Sequence, residues 1–153
     1  MLFAFLLKFL CLSHNQKLKY FGINYLIIIN LRSSGCLMSE KFALFAFNGD
    51  PMCFIHVILN ALDLSKKGHD VKVIVEGSAT KLADQFENKK NPFFKQYQEL
   101  KNAGLIDCFC KACSSKMESL EEVEKLGFKT CDELMGHPSM GKYITLGYTI
   151  ITF

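Results

Sequence analysis

The chain has 153 residues, room for one ordinary domain of about 100–150 residues and little more. Half of those residues are hydrophobic and 22% are charged, a core-forming composition that excludes collagen-like, low-complexity and disordered chains. No apolar run reaches the roughly 18–20 residues of a membrane span, because Lys8 and the stretch Ser13–Lys19 break the N-terminal candidate. An integral membrane protein is therefore not expected.

The net charge of +3 is unevenly placed. Four of the 18 basic residues, Lys8, Lys17, Lys19 and Arg32, lie before residue 40, where there is no acid. The remaining 14 stand against all 15 acids. Arg32 is the single arginine. Arginine supplies most bidentate contacts to phosphate and guanine, so a body without one speaks against nucleic-acid binding.

Residues 1–37 differ in character from the rest of the chain. Met1–Leu12 and Tyr20–Leu31 are short apolar runs. A signal peptide would carry its charge before the apolar region and a small-residue cleavage site after it. Here Lys8 sits inside the run and no Ala-x-Ala comes after it. A transit peptide would be rich in arginine and serine. Residues 1–37 are therefore read as an N-terminal extension outside the domain, with Met38 a candidate start, and 38–153 as the domain.

From Ser39 the pattern is regular. Lys41–Phe47 is a β-compatible run closed by the turn Asn48-Gly49-Asp50-Pro51. A helix over about Met52–Lys67 carries Ile55, Ile58, Leu59 and Leu62 at helical spacing, and Gly68 stops it. Val71–Glu76 is a second strand, valine-rich as in a strand buried on both faces. Ser78 is placed to cap a helix toward Phe86, and Pro92 opens another through Asn102. Leu105–Cys110 is the third strand. A helix begun by the capping box Ser115-x-x-Glu118 should run past Val123 to Gly127. Phe128–Cys131 is a short strand, Ser139–Leu146 a last helix and Tyr148–Phe153 a terminal strand.

Strands alternating with helices imply βαβ crossovers. The expected fold is a three-layer α/β domain on a mostly parallel sheet of four or five strands. In a sheet of local order 2-1-3, the turn holding Asn48, Asp50 and Cys53 would face the turn after the third strand, at the switch point where such folds bind ligands.

The chemistry concentrates in Ile106-Asp107-Cys108-Phe109-Cys110-Lys111-Ala112-Cys113-Ser114-Ser115. The first strand-to-helix turn has neither GxGxxG nor GxxxxGK[ST], so no nucleotide cofactor is expected. The seven cysteines, Cys11, Cys36, Cys53, Cys108, Cys110, Cys113 and Cys131, are an odd number. That does not read as a disulfide framework and points instead to thiol or metal chemistry in a reducing compartment. Strand geometry puts Cys108 and Cys110 on one face. Cys113 is expected just before a helix capped at Ser114 or Ser115, where backbone N–H groups and Lys111 favour a thiolate. Cys53, across the switch point, is a candidate partner. Two other chemistries use the same residues. Cys110-x-x-Cys113 has dithiol spacing, although in thioredoxin folds that motif comes after an early strand. Cys108, Cys110, Cys113 and Cys131, with His137, could hold zinc or an iron–sulfur cluster.

Residues 38–153 resemble the DsrE/DsrF-like family of small sulfur-relay proteins. The likeness lies in Phe42–Asn48 leading into a helix, Lys111-Ala112-Cys113-Ser114 at the third strand's exit, and the closing stretch Gly147–Phe153. It covers nearly the whole domain and none of residues 1–37. It implies a flavodoxin-like fold, cytoplasmic homo-oligomers (trimers or hexamers) and exchange with sulfur donor and acceptor proteins. It also implies a cysteine, here Cys113, that accepts sulfur as a persulfide in sulfurtransferase-like chemistry. The additional Cys108, Cys110 and Cys131 depart from a one-cysteine pattern.

Deleting residues 1–37 is expected to leave the fold and Tm essentially unchanged, as monitored by circular dichroism. A loss of solubility or a large fall in Tm would show that the extension packs on the domain.

Overall fold

The computed structural model describes residues 39–153. The extension 1–37, with Cys11 and Cys36, lies outside the described residues. The sheet is built from β1 (Lys41–Ala46), β2 (Asp70–Val75), β3 (Ile106–Cys110), β4 (Thr130–Cys131) and β5 (Thr149–Thr152). Every pairing is parallel, and the strand order is β4-β3-β2-β1-β5. The expected α/β architecture is present, as an all-parallel sheet of five strands with helices on both faces, consistent with a flavodoxin-like three-layer fold.

The helices are α1 (Pro51–Lys66), α2 (Leu82–Glu87), α3 (Phe94–Asn102), α4 (Lys111–Lys116), α5 (Leu120–Lys125) and α6 (Met140–Thr145). Their distribution is set by crossover handedness. From β1 to β4 the chain steps one way across the sheet, and right-handed crossovers put the connecting helices on one face. The last connection returns past β1 to β5, so α6 covers the opposite face. Two cores result. The larger joins Leu44, Ala46, Val71, Val73, Val75 and Phe109 of the strands to Phe54, Ile58, Phe86, Tyr97, Leu100 and Val123 of the helices. The smaller contains Ala43, Phe45, Ile74, Cys108, Cys131 and Tyr143. Neighbouring residues of β1 thus serve opposite faces, as the pleat requires.

Local chemistry explains the boundaries. Asp50 caps α1, its carboxylate accepting from the Met52 N–H at 2.8 Å, and Pro51 occupies the first turn, where its missing N–H costs nothing. Buried Phe54, Ile55, Ile58, Ala61 and Leu62 form the helical stripe. A chain of ring contacts, Phe54–Phe86–Tyr97–Phe128–Phe109, runs through the larger core at centroid separations of 4.8–6.5 Å.

Four expectations are corrected. The local order is not 2-1-3: β2 lies between β1 and β3, because successive crossovers keep stepping in one direction and only the last one reverses. Ser78 caps no helix. Gly77–Lys81 is a 3₁₀ turn before α2, and the Ser78 hydroxyl accepts from the Gly49 N–H at 2.8 Å. The capping box Ser115-x-x-Glu118 does not form either. Cys110 caps α4, and the chain breaks at Glu118 with φ 58° before α5 begins. Finally, the cysteines are not all free, since Cys108 and Cys131 form a disulfide between β3 and β4. Elsewhere the observed elements lie within one or two residues of the expected ones. Among the described residues no helix is long and apolar enough to cross a membrane.

The hydroxyl of Tyr97, a fully buried residue, has no hydrogen-bond partner among the described residues. An unpaired buried hydroxyl is destabilising by about 1–3 kcal/mol. Tyr97→Phe keeps the ring stack and should raise the unfolding free energy by about 1 kcal/mol in urea titration. A loss of stability would reveal a partner for the hydroxyl.

Candidate functional site

Four side chains from neighbouring strand exits meet at the carboxyl edge of the sheet. Glu76 comes directly after β2, Cys110 ends β3, Cys113 lies in α4, and His137 sits in the loop between β4 and α6. One ligating atom from each lies within 4.8 Å of the others. The hub is His137 Nδ1, at 3.2 Å from Cys110 Sγ, 3.6 Å from Cys113 Sγ and 3.8 Å from a Glu76 carboxylate oxygen.

Strand register accounts for half of this convergence. Val75 pairs with Phe109 and Cys110 with Cys131, so the residue after β2 and the last residue of β3 emerge side by side. Two glycines supply the rest. Gly77, at φ +53°, turns the chain immediately after Glu76, and a Cβ there would stand 2.7 Å from the Phe47 carbonyl oxygen. Gly136, at φ +93°, brings His137 in, and its Cβ would meet that of Ala112 at 3.0 Å. The Ala112 N–H donates to the Gly136 carbonyl at 2.8 Å, clamping the histidine turn to the start of α4. A side chain at either glycine would spread the cluster.

The two thiols differ. Cys110 is buried; its sulfur accepts from the Cys113 N–H at 3.3 Å and lies 3.6 Å from the Gly136 carbonyl. Burial pushes its pKa up to about 12, so Cys110 is held as the neutral thiol near pH 7. Cys113 is partly exposed. Burial likewise raises the pKa of Glu76, with the nearby His137 acting in the opposite direction. The Glu76 side chain is only 9% exposed, whereas that of His137 is 47% exposed. The imidazole therefore forms the open side of the cluster, within reach of both sulfurs.

The other expected site residues are dispersed. Asn48 and Asp50 organise the α1 turn: Asn48 Oδ1 accepts from the Asp50 N–H at 2.9 Å, and Asn48 Nδ2 lies 3.5 Å from Cys53 Sγ. With β2 between β1 and β3, Cys53 is not the neighbour of Cys113 that the 2-1-3 order implied. Lys111 is paired with Asp132 at 3.2 Å. Ser114 is fully buried, and its hydroxyl has no partner among the described residues. Cys113 lies within α4 rather than ahead of a helix capped at Ser114 or Ser115, because the Cys110 thiol takes the capping position. The set Cys108, Cys110, Cys113 and Cys131 does not converge as ligands, since two of its sulfurs are bonded to each other. That bond also takes both sulfurs out of the neighbouring group Asp107, Cys108 and Cys131, leaving the Asp107 carboxylate alone. Glu76 was missed. Its signal is an acid ending a valine-rich buried strand, at the sheet edge where α/β proteins place their sites.

The chain is 34% identical over 97 residues to the Methanocaldococcus jannaschii protein named "Uncharacterized protein MJ0733", a match covering 63% of this chain and 77% of that one. It is 43% identical over 44 residues to an "Uncharacterized protein" of Archaeoglobus fulgidus, covering 29% of this chain and 72% of the relative. The chain belongs to the family of these archaeal proteins. No protein-family model matches it, and no solved structure does.

Exposure and the high Cys110 pKa set an order of reactivity. Iodoacetamide near pH 8 should modify Cys113 at least about tenfold faster than Cys110. The Cys110 rate should keep rising through pH 10, because that pH is still well below its pKa of about 12. Peptide mapping reads both. Equal rates at pH 8 would contradict the burial difference.

Proposed function

We propose that this protein is a sulfur-relay protein of the DsrE/DsrF type, a persulfide carrier with sulfurtransferase-like chemistry at Cys113. The observation that supports this most is the pairing of a partly exposed Cys113 with a buried Cys110 around one imidazole nitrogen. A carrier needs a thiol that a partner can reach and that is held in place between transfers. In the loading step the Cys113 thiolate attacks the outer sulfur of a donor persulfide. The S–S bond of the donor breaks, its thiolate leaves, and Cys113 carries the S–SH group. An acceptor thiolate repeats the displacement in the opposite sense, so neither step needs an external oxidant or reductant. His137 Nδ1, half exposed and near both sulfurs, is positioned to take the thiol proton and return it.

The partners in this scheme are sulfur donor and acceptor proteins in the cytoplasm. Assembly into trimers or hexamers is part of the same proposal, and the exposed apolar residues Met135, Ile144 and Leu146 are consistent with it. A second possibility is a Cys110/Cys113 dithiol oxidoreductase, favoured by the closeness of the two sulfurs. The all-parallel sheet, with the motif after its third strand, differs from the thioredoxin arrangement.

Intact-mass spectrometry after treatment with a persulfide donor separates the two. A carrier should gain about 32 Da, mapped to Cys113 and absent in Cys113→Ser, whereas a dithiol enzyme should lose about 2 Da as a disulfide forms. Loading of Cys113→Ser at the normal rate would reject the assignment of the acceptor.

A further inference from the structure

We infer that Glu76, Cys110, Cys113 and His137 form a four-coordinate site for one zinc-class divalent cation, closed by the buried carboxylate at the exit of β2.

Spacing is the first support. In a tetrahedron the ligand–ligand edge is about 1.6 times the metal–ligand distance, so bonds of about 2.0–2.3 Å give edges of about 3.3–3.8 Å. The three separations from His137 Nδ1 are 3.2, 3.6 and 3.8 Å, and one ligating atom from each residue lies within 4.8 Å of the others. A cation at the centre would need only small side-chain shifts to bond all four.

Donor chemistry is the second. Two sulfurs and an imidazole nitrogen select zinc and its borderline-soft neighbours over magnesium and calcium, which take oxygen ligands in larger number. The ligands come from separate elements: a strand exit, a strand end, a helix and a loop.

Charge is the third. Glu76 is nine-tenths buried, and among the described residues no lysine or arginine pairs with it; His137 is its ion-pair partner. A carboxylate taken out of water requires a compensating charge. A divalent cation supplies it and draws the two thiols in as thiolates. The half-exposed imidazole leaves a route of entry for the ion.

The site does not depend on the sulfur-relay reading. A metal-ligated Cys113 is not free to attack a persulfide, so ion and sulfur would compete for the same sulfur atom.

The test uses the full chain, stripped with a chelator under oxygen-free conditions that leave the Cys108–Cys131 disulfide closed. Co²⁺ should give thiolate-to-metal charge-transfer bands and the intense visible bands of tetrahedral cobalt, and one equivalent of Zn²⁺ should displace it. Mg²⁺ should leave the spectrum unchanged. Against a chromophoric chelator, His137→Ala and Glu76→Gln should each weaken Zn²⁺ binding at least about tenfold, and Cys113→Ser should weaken the charge-transfer bands without abolishing them, because the Cys110 thiolate remains. Cys53→Ser should bind as the parent does. Should Glu76→Gln fail to fold, His137→Ala and His137→Cys decide the matter, since the alanine should lose affinity and the cysteine, which restores a donor, should keep it. A folded parent chain with no tetrahedral cobalt spectrum would overturn the proposal. So would zinc affinity unchanged in His137→Ala. Sulfur loading of the stripped chain is measured separately, so either property can fail without the other.

Discussion

Parallel register across β4, β3 and β2 is the constraint on which the rest of this molecule depends. Parallel strands all end at the same edge of a sheet, so the residues leaving them are delivered to one place. Here the pairs Val75–Phe109 and Cys110–Cys131 place Glu76 and Cys110 side by side and set the start of the loop that carries His137. A slip of one residue would invert every side chain between the two faces. Val73 and Val75 in one core, with Ile74 in the other, resist that slip. A register irregularity between Val73 and Ile74 adjusts the pairing before the site, and Asp107 beside it accepts from the Tyr143 hydroxyl at 2.6 Å.

The two faces of the sheet are unequally covered, and the order of the crossovers is the reason. Three connections run one way and load one face with α1 to α5. A single six-residue helix, α6, covers the other. The smaller core therefore relies on specific ties: the T-shaped contact of Phe45 with Tyr143, the Tyr143–Asp107 hydrogen bond and the Cys108–Cys131 disulfide. The disulfide ties the two-residue strand β4 to β3 in addition to their pairing. The same strand leads into the loop that presents His137, so the bond supports the site without belonging to it.

Within the site, burial and chemistry pull in opposite directions. Enclosure by the sheet edge and α4 raises the pKa of both Cys110 and Glu76. It thereby opposes the charged forms that make these groups nucleophiles or ligands. The site offsets this with the N–H of Cys113 on the Cys110 sulfur and with an imidazole shared by all three other groups. It also leaves Cys113 and His137 partly open to solvent. The Cys110 thiol is thus fixed in direction by the backbone, while the Cys113 thiol faces the open side.

Much of this was legible in the residues themselves, because it rests on local patterns. Alternating strand and helix periods specified an α/β domain, the stripe Ile55–Leu62 and the stop at Gly68 specified α1, and Cys110-x-x-Cys113 marked two of the four clustered groups. Those signals depend on neighbours within a few positions in the chain. Strand order does not, and the 2-1-3 expectation failed because the direction of each crossover depends on how whole helices pack. The capping box failed for a related reason: the Cys110 thiol, held at the strand end, capped the helix first. Whether Cys108 would bond Cys131 or share a metal with it depended on the β3–β4 pairing, and Glu76 acquired its partners only through β2 lying beside β3. Composition and spacing can thus mark which groups are candidates. Which of them meet is decided by contacts between residues as far apart as Glu76 and His137, and those exist only once the sheet has assembled.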